Sequence, residues 1–359
     1  MEVFSCKTTI ISGHGALREL CRLKSKRLLV VAAPFFRETD VPRRVQSAAG
    51  ADSVAYFYDV TGEPSVELAA KGTALVEKFQ PDAVVAIGGG SVMDCAKAMV
   101  YFSGKEIPLV AIPTTSGSGS EVTDFSVLTH NGSKHPLVDK ALLPAMAILD
   151  GDLLRTLPKV LVADAGYDIV AHAVESFVAT GAGAISRAFA RDAFVTVYEN
   201  LPASYHGDTR VRQDIHLAAT MAGIAFSQSG LGLCHAMAHA LGGRFHIAHG
   251  RLNAILLPAV VENNAAASAQ YATLARSAGL GGAADTVAVR NLRNALLHLR
   301  KALQLPQTLA EAGINPREVA AQAQSLVQAA LEDPCCKTNP APPDETMVRR
   351  VLNQVTGLG

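Results

Sequence analysis

Tryptophan is absent and aromatic residues make up only 5% of the 359 residues, so the chain offers few stacking platforms for single-stranded nucleic acid. Charge is also scarce, at 18%, and balanced, with 32 basic and 32 acidic side chains. A balanced surface gives no electrostatic basis for binding nucleic acid or an anionic membrane. The longest apolar runs fall well short of the ~20 residues that a membrane-spanning helix needs. The first ten residues, MEVFSCKTTI, lack the basic stretch and apolar run of a signal peptide. Six cysteines are present, without a CxxC pair. Cys6, Cys21, Cys95 and Cys234 are scattered, and Cys335 and Cys336 are adjacent. That pattern reads as reduced thiols in a cytoplasmic protein, neither a disulfide framework nor a zinc ribbon. Hydrophobic residues make up 49%, which is the composition of a globular chain.

The first half alternates short apolar runs with helical spacing. Arg27–Ala32, Ala83–Ile87, Leu109–Ile112 and Ala145–Leu149 read as strands buried on both faces. Stretches 65–79 and 91–103 read as helices between them. This alternation predicts an α/β domain with a mostly parallel sheet over residues 1–157. From residue 158 to 359 the spacing is helical, most clearly over 161–178, 185–201, 210–226 and 285–303, and predicts an all-α domain. Leu292, Leu296, Leu299 and Leu303 recur at helical spacing as core residues. The alanine-rich stretch 265–269 reads as helix-forming.

Two loops at strand ends could handle phosphate. Gly88-Gly89-Gly90-Ser91 follows one strand and opens a helix that carries Asp94 and Lys97 on its first turns. Glycines allow close backbone approach, and the free amides and dipole of a helix start favour an anion. The plain alternative is a tight turn with Ser91 as helix cap. Pro113-Thr114-Thr115-Ser116-Gly117-Ser118-Gly119-Ser120-Glu121 follows the next strand and supplies hydroxyls. Loops on neighbouring strand ends lie where open parallel sheets bind ligands. The spacing is not that of the usual GxGxxG fingerprint.

The second half carries a constellation of metal-ligand residue types. Asp168 and His172 are four apart and share a helix face. A carboxylate–imidazole hydrogen bond would satisfy that spacing equally well. His235, His239, His246 and His249 then crowd into fifteen residues of apolar sequence. One carboxylate with three imidazoles makes an oxygen–nitrogen site that suits Fe2+ or Zn2+ and lacks the thiolates of structural zinc. Spacing alone does not choose among the histidines. An ion in such a site can act as a Lewis acid on an alcohol oxygen, and a two-domain chain can set it opposite a cofactor.

Gly88-Gly89-Gly90-Ser91-x-x-Asp94, Pro113-Thr114-Thr115-x-Gly117-Ser118-Gly119-Ser120-Glu121, Asp168-x-x-x-His172-Ala173-x-Glu175 and His235-x-Met237-x-His239 together resemble the iron-containing (group III) alcohol dehydrogenases. His249-Gly250-x-x-Asn253-Ala254 and Thr338-Asn339-Pro340 continue the match in order. Ala225–Leu233 is similar to the corresponding stretch of the propanol dehydrogenases of propanediol-utilisation microcompartments. The resemblance implies a dehydroquinate-synthase-like fold and hydride transfer between NAD(H) and a short primary alcohol or aldehyde. It implies Asp168, His172, His235 and His249 as ligands of Fe2+, with Zn2+ accepted by the same set. His239 becomes a proton relay near the substrate. Gly89, Gly90 and Ser91 would hold the pyrophosphate, Asp94, Thr114, Thr115 and Ser118 would line the cofactor, and Lys134 would approach its ribose. Phe125, Phe226, Leu231 and Phe245 would wall the substrate pocket, although ordinary core packing explains each as well. A homodimer or higher homo-oligomer and association with a bacterial microcompartment also follow from the resemblance.

The chain departs from the family at Ala33, where many relatives carry an aspartate that bonds the ribose hydroxyls of NAD and repels the extra phosphate of NADP. Alanine removes that filter and predicts use of NADP(H) as well. Ser118 keeps the hydroxyl of the usual threonine. Ala248 and Arg251 flank the last ligand in place of a frequent proline and an apolar residue, and Arg251 is expected to pair structurally. Glu175 reads either as support for a ligand or as an exposed helix carboxylate. Cys95 and Cys234 read as packing residues, and Cys335 and Cys336 carry no assigned chemistry. The alternative readings are a zinc polyol dehydrogenase or a cyclising synthase of the same superfamily, and a non-catalytic microcompartment partner. A phosphorylated substrate would call for basic residues near the histidines, and between 225 and 250 only Arg244 is present.

Overall fold

The structure is a computed structural model that describes residues 4–130 and 133–357. The chain divides into two compact units, one spanning Ser5–Leu157 and the other formed by Pro158 onward together with Phe4.

The first unit is built on a six-stranded sheet. Its strands are β1 (Thr9–Ser12), β2 (Arg27–Ala32), β3 (Ser53–Phe57), β4 (Ala83–Gly88), β5 (Leu109–Pro113) and β8 (Met146–Leu149). Their order is β1-β8-β5-β4-β2-β3, every neighbouring pair is parallel, and the unit also holds an antiparallel hairpin of β6 (Phe125–His130) and β7 (Ser133–Val138). The expected α/β architecture is observed, with the four strands read from apolar runs forming the centre of the sheet.

Alternation of side chains across the pleat builds two cores. Leu28, Val30, Val85, Ile87, Val110 and Ile112 face α1 (Val41–Ala49). Leu29, Val31, Val84, Ala86 and Ala111 face the pair α2 (Val66–Phe79) and α3 (Gly90–Phe102). Burial on both faces explains why these strands read as unbroken apolar runs. The chain goes from β2 outward to β3, then returns through α2 to β4 on the other side of β2. That reversal makes a switch point between the carboxyl ends of β2 and β4, the place where open α/β sheets receive ligands. Ala32 pairs with Ile87, so Ala33 and Gly88 emerge side by side there.

The second unit contains helices and no strand among the described residues. They are α4 (Lys159–Val178), α5 (Ala184–Tyr205), α6 (Arg212–Ser229), α7 (Leu233–Phe245), α8 (His249–Asn263), α9 (Ser268–Ser277), α10 (Asp285–Ala302), α11 (Pro316–Glu332) and α12 (Glu345–Thr356). The leucines at helical spacing, Leu292, Leu296, Leu299 and Leu303, are buried. The middle of α4 is buried on every side, from Gly166 through Val178, and it packs against α5, α6 and α8. A helix surrounded in this way can carry a polar site only where neighbouring elements satisfy it. Among the described residues, no single helix is long and apolar enough to cross a membrane.

Candidate metal centre and nucleotide loops

The metal-type residues converge on α4, α7 and α8. Asp168 and His172 lie one turn apart on α4, with Asp168 Oδ2 4.0 Å from His172 Nδ1. His235 is the third residue of α7, and its ring stacks on that of His172 at 4.6 Å between centroids. His249 opens α8 and places Nε2 3.7 Å from Asp168 Oδ1. Donor atoms of Asp168, His235 and His249 all lie within 4.8 Å of one another. His172 stands outside that tight trio, held beside it by Asp168 and the His235 ring.

Gly250 makes this approach feasible. A Cβ on Gly250 would sit 1.9 Å from the carbonyl oxygen of Asp164, so the start of α8 rests directly on the backbone of α4. The neighbouring His249 is thereby carried to Asp168. Arg251 Nη2 reaches Asp164 Oδ2 at 2.9 Å, the structural pairing expected of it.

Glu175 fixes the imidazole of His235. It is buried, and its carboxylate accepts the backbone amides of Gly232 at 3.0 Å, Cys234 at 2.7 Å and His235 at 3.2 Å. These amides belong to the start of α7, whose cap residue, Gly232, has no side chain with which to satisfy them. The same carboxylate meets His235 Nδ1 at 2.7 Å, which places a proton on Nδ1 and leaves the Nε2 lone pair for a ligand. Burial pushes the Glu175 carboxyl up to about 7, while the three amides and nearby His172 pull it down. The reading of Glu175 as an exposed carboxylate is therefore replaced by that of a buried brace.

Burial drives His235 and His249 well below the usual histidine range, so both present neutral nitrogen lone pairs. Asn253 Nδ2 donates to Asp168 Oδ1 at 2.8 Å and lies 3.3 Å from His235 Nε2, bridging the two. Metal ligands sit ~2.1 Å from the ion, so donors up to about 4.2 Å apart can share one. The Asp168–His249 and Asp168–His172 separations both fall inside that limit. One carboxylate with neutral imidazoles is the donor set of a borderline divalent ion, and these residues fit one.

His239, one turn past His235, keeps its Nδ1 2.8 Å from Asp333 Oδ2 while its ring stacks on His249 at 5.1 Å. Asp333 is a residue that the sequence did not point to, 94 positions away from its partner. Burial works against the Asp333 carboxylate, but His239 and the Cys335 amide hold it below the ordinary range. His246 is exposed at the end of α7 and belongs to neither group. Phe226 stacks on His172 at 4.4 Å, Leu231 is buried, and Phe245 is half-buried at the last turn of α7. Cys234 is buried with Sγ 3.4 Å from Asn253 Oδ1.

In the first unit the two strand-end loops interlock. Thr114 donates its amide to Gly88 at 2.9 Å. A Cβ on Gly89 would come within 3.2 Å of Thr115 Oγ1, and one on Gly90 within 2.8 Å of Ser118 Oγ. Glycine is thus what lets the second loop lie against the first. Gly89 caps α3 and Ser91 stands inside its first turn, so Ser91 is not the cap. Asp94 accepts from Ser120 Oγ at 2.7 Å and from the Val127 amide at 3.2 Å, which braces the second loop and the hairpin behind it. Buried Lys97 donates to the carbonyls of Thr123 and Phe125, both at 2.9 Å, and lies 5.9 Å from the Phe125 ring centre. Cys95 is buried in the same core. Lys134 lies on β7, and its side chain is outside the described residues.

A parallel-sheet unit with interlocked glycine and hydroxyl loops, followed by a helical unit with an aspartate–histidine cluster, is the arrangement of an alcohol dehydrogenase of the iron-containing class. The chain belongs to the iron-containing alcohol dehydrogenase family: residues 7–151 match the family's model, and residues 162–356 match that of its C-terminal region. It is 39% identical to 1-propanol dehydrogenase PduQ of Citrobacter freundii, over 99% of this chain and 100% of that protein. It is 35% identical to an NADPH-dependent butanol dehydrogenase of Clostridium saccharobutylicum, over 98% and 97% of the two chains. Its fold matches the solved iron-containing alcohol dehydrogenase of Thermococcus thioreducens with a TM-score of 0.92 at 34% identity, over 99% and 100% of the chains.

Proposed function

We propose that this protein is an iron-dependent alcohol dehydrogenase and aldehyde reductase that moves hydride between NAD(P)(H) and a short primary alcohol or aldehyde such as 1-propanol or propanal. The observation that carries the reading is the convergence of buried Asp168 and His235 with half-buried His249, with Glu175 fixing the His235 tautomer.

Asp168, His172, His235 and His249 would hold the ion, and Zn2+ suits the same donors. When bound, it supplies Lewis acidity that lowers the alcohol pKa and steadies the negative charge on oxygen. Phe226, buried and stacked on His172, keeps water from competing there. Asp333 holds the proton of His239 on Nδ1, so Nε2 is free to take a proton from the alcohol or return one. In the first unit, the amides of Gly89, Gly90 and Ser91, at the start of α3, would hold the pyrophosphate of the cofactor. Thr114, Thr115 and Ser118 would supply hydroxyls beside it. Ala33 stands at the switch point without a carboxylate, which admits the 2′-phosphate of NADP, and the NADPH-dependent butanol dehydrogenase relative is consistent with that choice. Likeness to 1-propanol dehydrogenases supports the substrate class.

The test is reduction of propanal by protein purified anaerobically with Fe2+, followed with NADH and with NADPH. Both cofactors are expected to support turnover that chelation removes and Fe2+ restores. Turnover that survives complete removal of metal would contradict the reading.

A further inference from the structure

A second set of donors converges on the His239 side of the ion centre. Asp333 ends α11 and caps the short turn that carries Cys335. A nitrogen of His239, a carboxylate oxygen of Asp333 and the sulfur of Cys335 lie within 4.8 Å of one another. Asp333 is held firmly, with Oδ2 2.8 Å from His239 Nδ1 and Oδ1 accepting the Cys335 amide at 2.8 Å. Its neighbour Cys336 is engaged elsewhere, with Sγ 3.0 Å from the Ala330 carbonyl. Asp168, His235 and His249 offer oxygen and nitrogen, whereas this second cluster adds sulfur, so the two differ in softness.

We infer that His239, Asp333 and Cys335 form a second, inhibitory metal site that takes a thiophilic divalent ion such as Zn2+. A sulfur–nitrogen–oxygen set with a fourth position left to water matches zinc in particular. Binding releases the Cys335 thiol proton to solvent and forms the metal–thiolate bond. It also requires the imidazole of His239 to change tautomer: the proton leaves Nδ1, whose lone pair then binds the ion, and a proton is taken up on Nε2, which can no longer accept one. The relay is closed while the first ion stays in place. The site stands on donor geometry alone; only its inhibitory effect rests on the dehydrogenase reading.

Iron-loaded protein with Cys6 and Cys21 replaced by serine, which removes the two exposed thiols, is titrated with Cd2+ while the ultraviolet thiolate-to-cadmium absorption and the iron content are followed. The expected result is a band that saturates at one Cd2+ per chain with iron retained, and that is lost in both Cys335→Ser and His239→Gln. In parallel, the Zn2+ concentration that halves activity should rise about tenfold or more in Cys335→Ser. A band that persists in Cys335→Ser, or cadmium that displaces iron without a band, would overturn the site. Should the protein reduce no aldehyde, the absorption still decides the site while the dehydrogenase reading alone fails. Should Cys335→Ser not fold, Asp333→Asn tests the same loss of the band.

Discussion

Replacing Glu175 by alanine probes the support beneath the metal centre. Three buried amides at the start of α7 have their acceptor in this carboxylate, along with His235 Nδ1. An orphaned buried donor costs roughly 1–3 kcal/mol. Taking the low end, because water can enter the vacated space, the loss is about 3 kcal/mol for the three amides. In a unit of this size 1 kcal/mol moves the melting temperature by about 2–4 °C, so a fall of roughly 6–12 °C is expected. Freed from Glu175, His235 also loses its fixed tautomer, and metal affinity should drop ~10–100-fold. Glu175→Gln is the informative companion. Its amide oxygen can replace Oε2, but its NH2 group then faces the Cys234 amide, which Oε1 now meets at 2.7 Å. It should therefore fall between wild type and alanine in both melting temperature and iron affinity. Calorimetry and chelator competition on iron-loaded protein measure the two effects. An alanine variant that melts within about 2 °C of wild type and keeps its iron would refute the reasoning.

Three further outcomes follow from the same contacts. His249→Ala should abolish aldehyde reduction by losing iron while circular dichroism stays that of the wild type; full activity without bound metal would contradict it. Ala33→Asp should lower kcat/KM for NADPH about tenfold or more relative to NADH, by repelling the 2′-phosphate, and an unchanged ratio would show that this position does not read it. Burial lowers Lys97 from 10.5 to about 8, so the folded chain releases a proton that the unfolded chain still holds between those values. Stability should rise through that window relative to Lys97→Met, and denaturant titrations showing a flat or shrinking difference would count against it.

The central strands β2, β4, β5 and β8 were legible because burial on both faces leaves unbroken apolar runs. The outer strands were not read. β1 is four residues long and β3 is mostly half-buried, so neither shows a decisive pattern. The β6–β7 hairpin includes the polar run Ser133-Lys134-His135-Pro136, which reads as loop. Of the four ligands proposed for the metal, Asp168 and His172 drew notice through helical spacing, and the resemblance selected His235 and His249. Glu175 stayed ambiguous because its burial depends on α7 docking onto α4, which no local pattern records. Asp333 and Cys335 were silent because the contact that gives them meaning spans 94 residues. Gly250 sits in a quoted motif, but its reason is a backbone approach visible only in three dimensions.

The central claim is one divalent ion held by Asp168, His172, His235 and His249. X-ray absorption at the iron edge of protein loaded with a single equivalent of Fe2+ tests it most directly. Oxygen and nitrogen neighbours with the outer-shell scattering of three imidazoles are predicted. A sulfur neighbour, or scattering from fewer than three imidazoles, would contradict it.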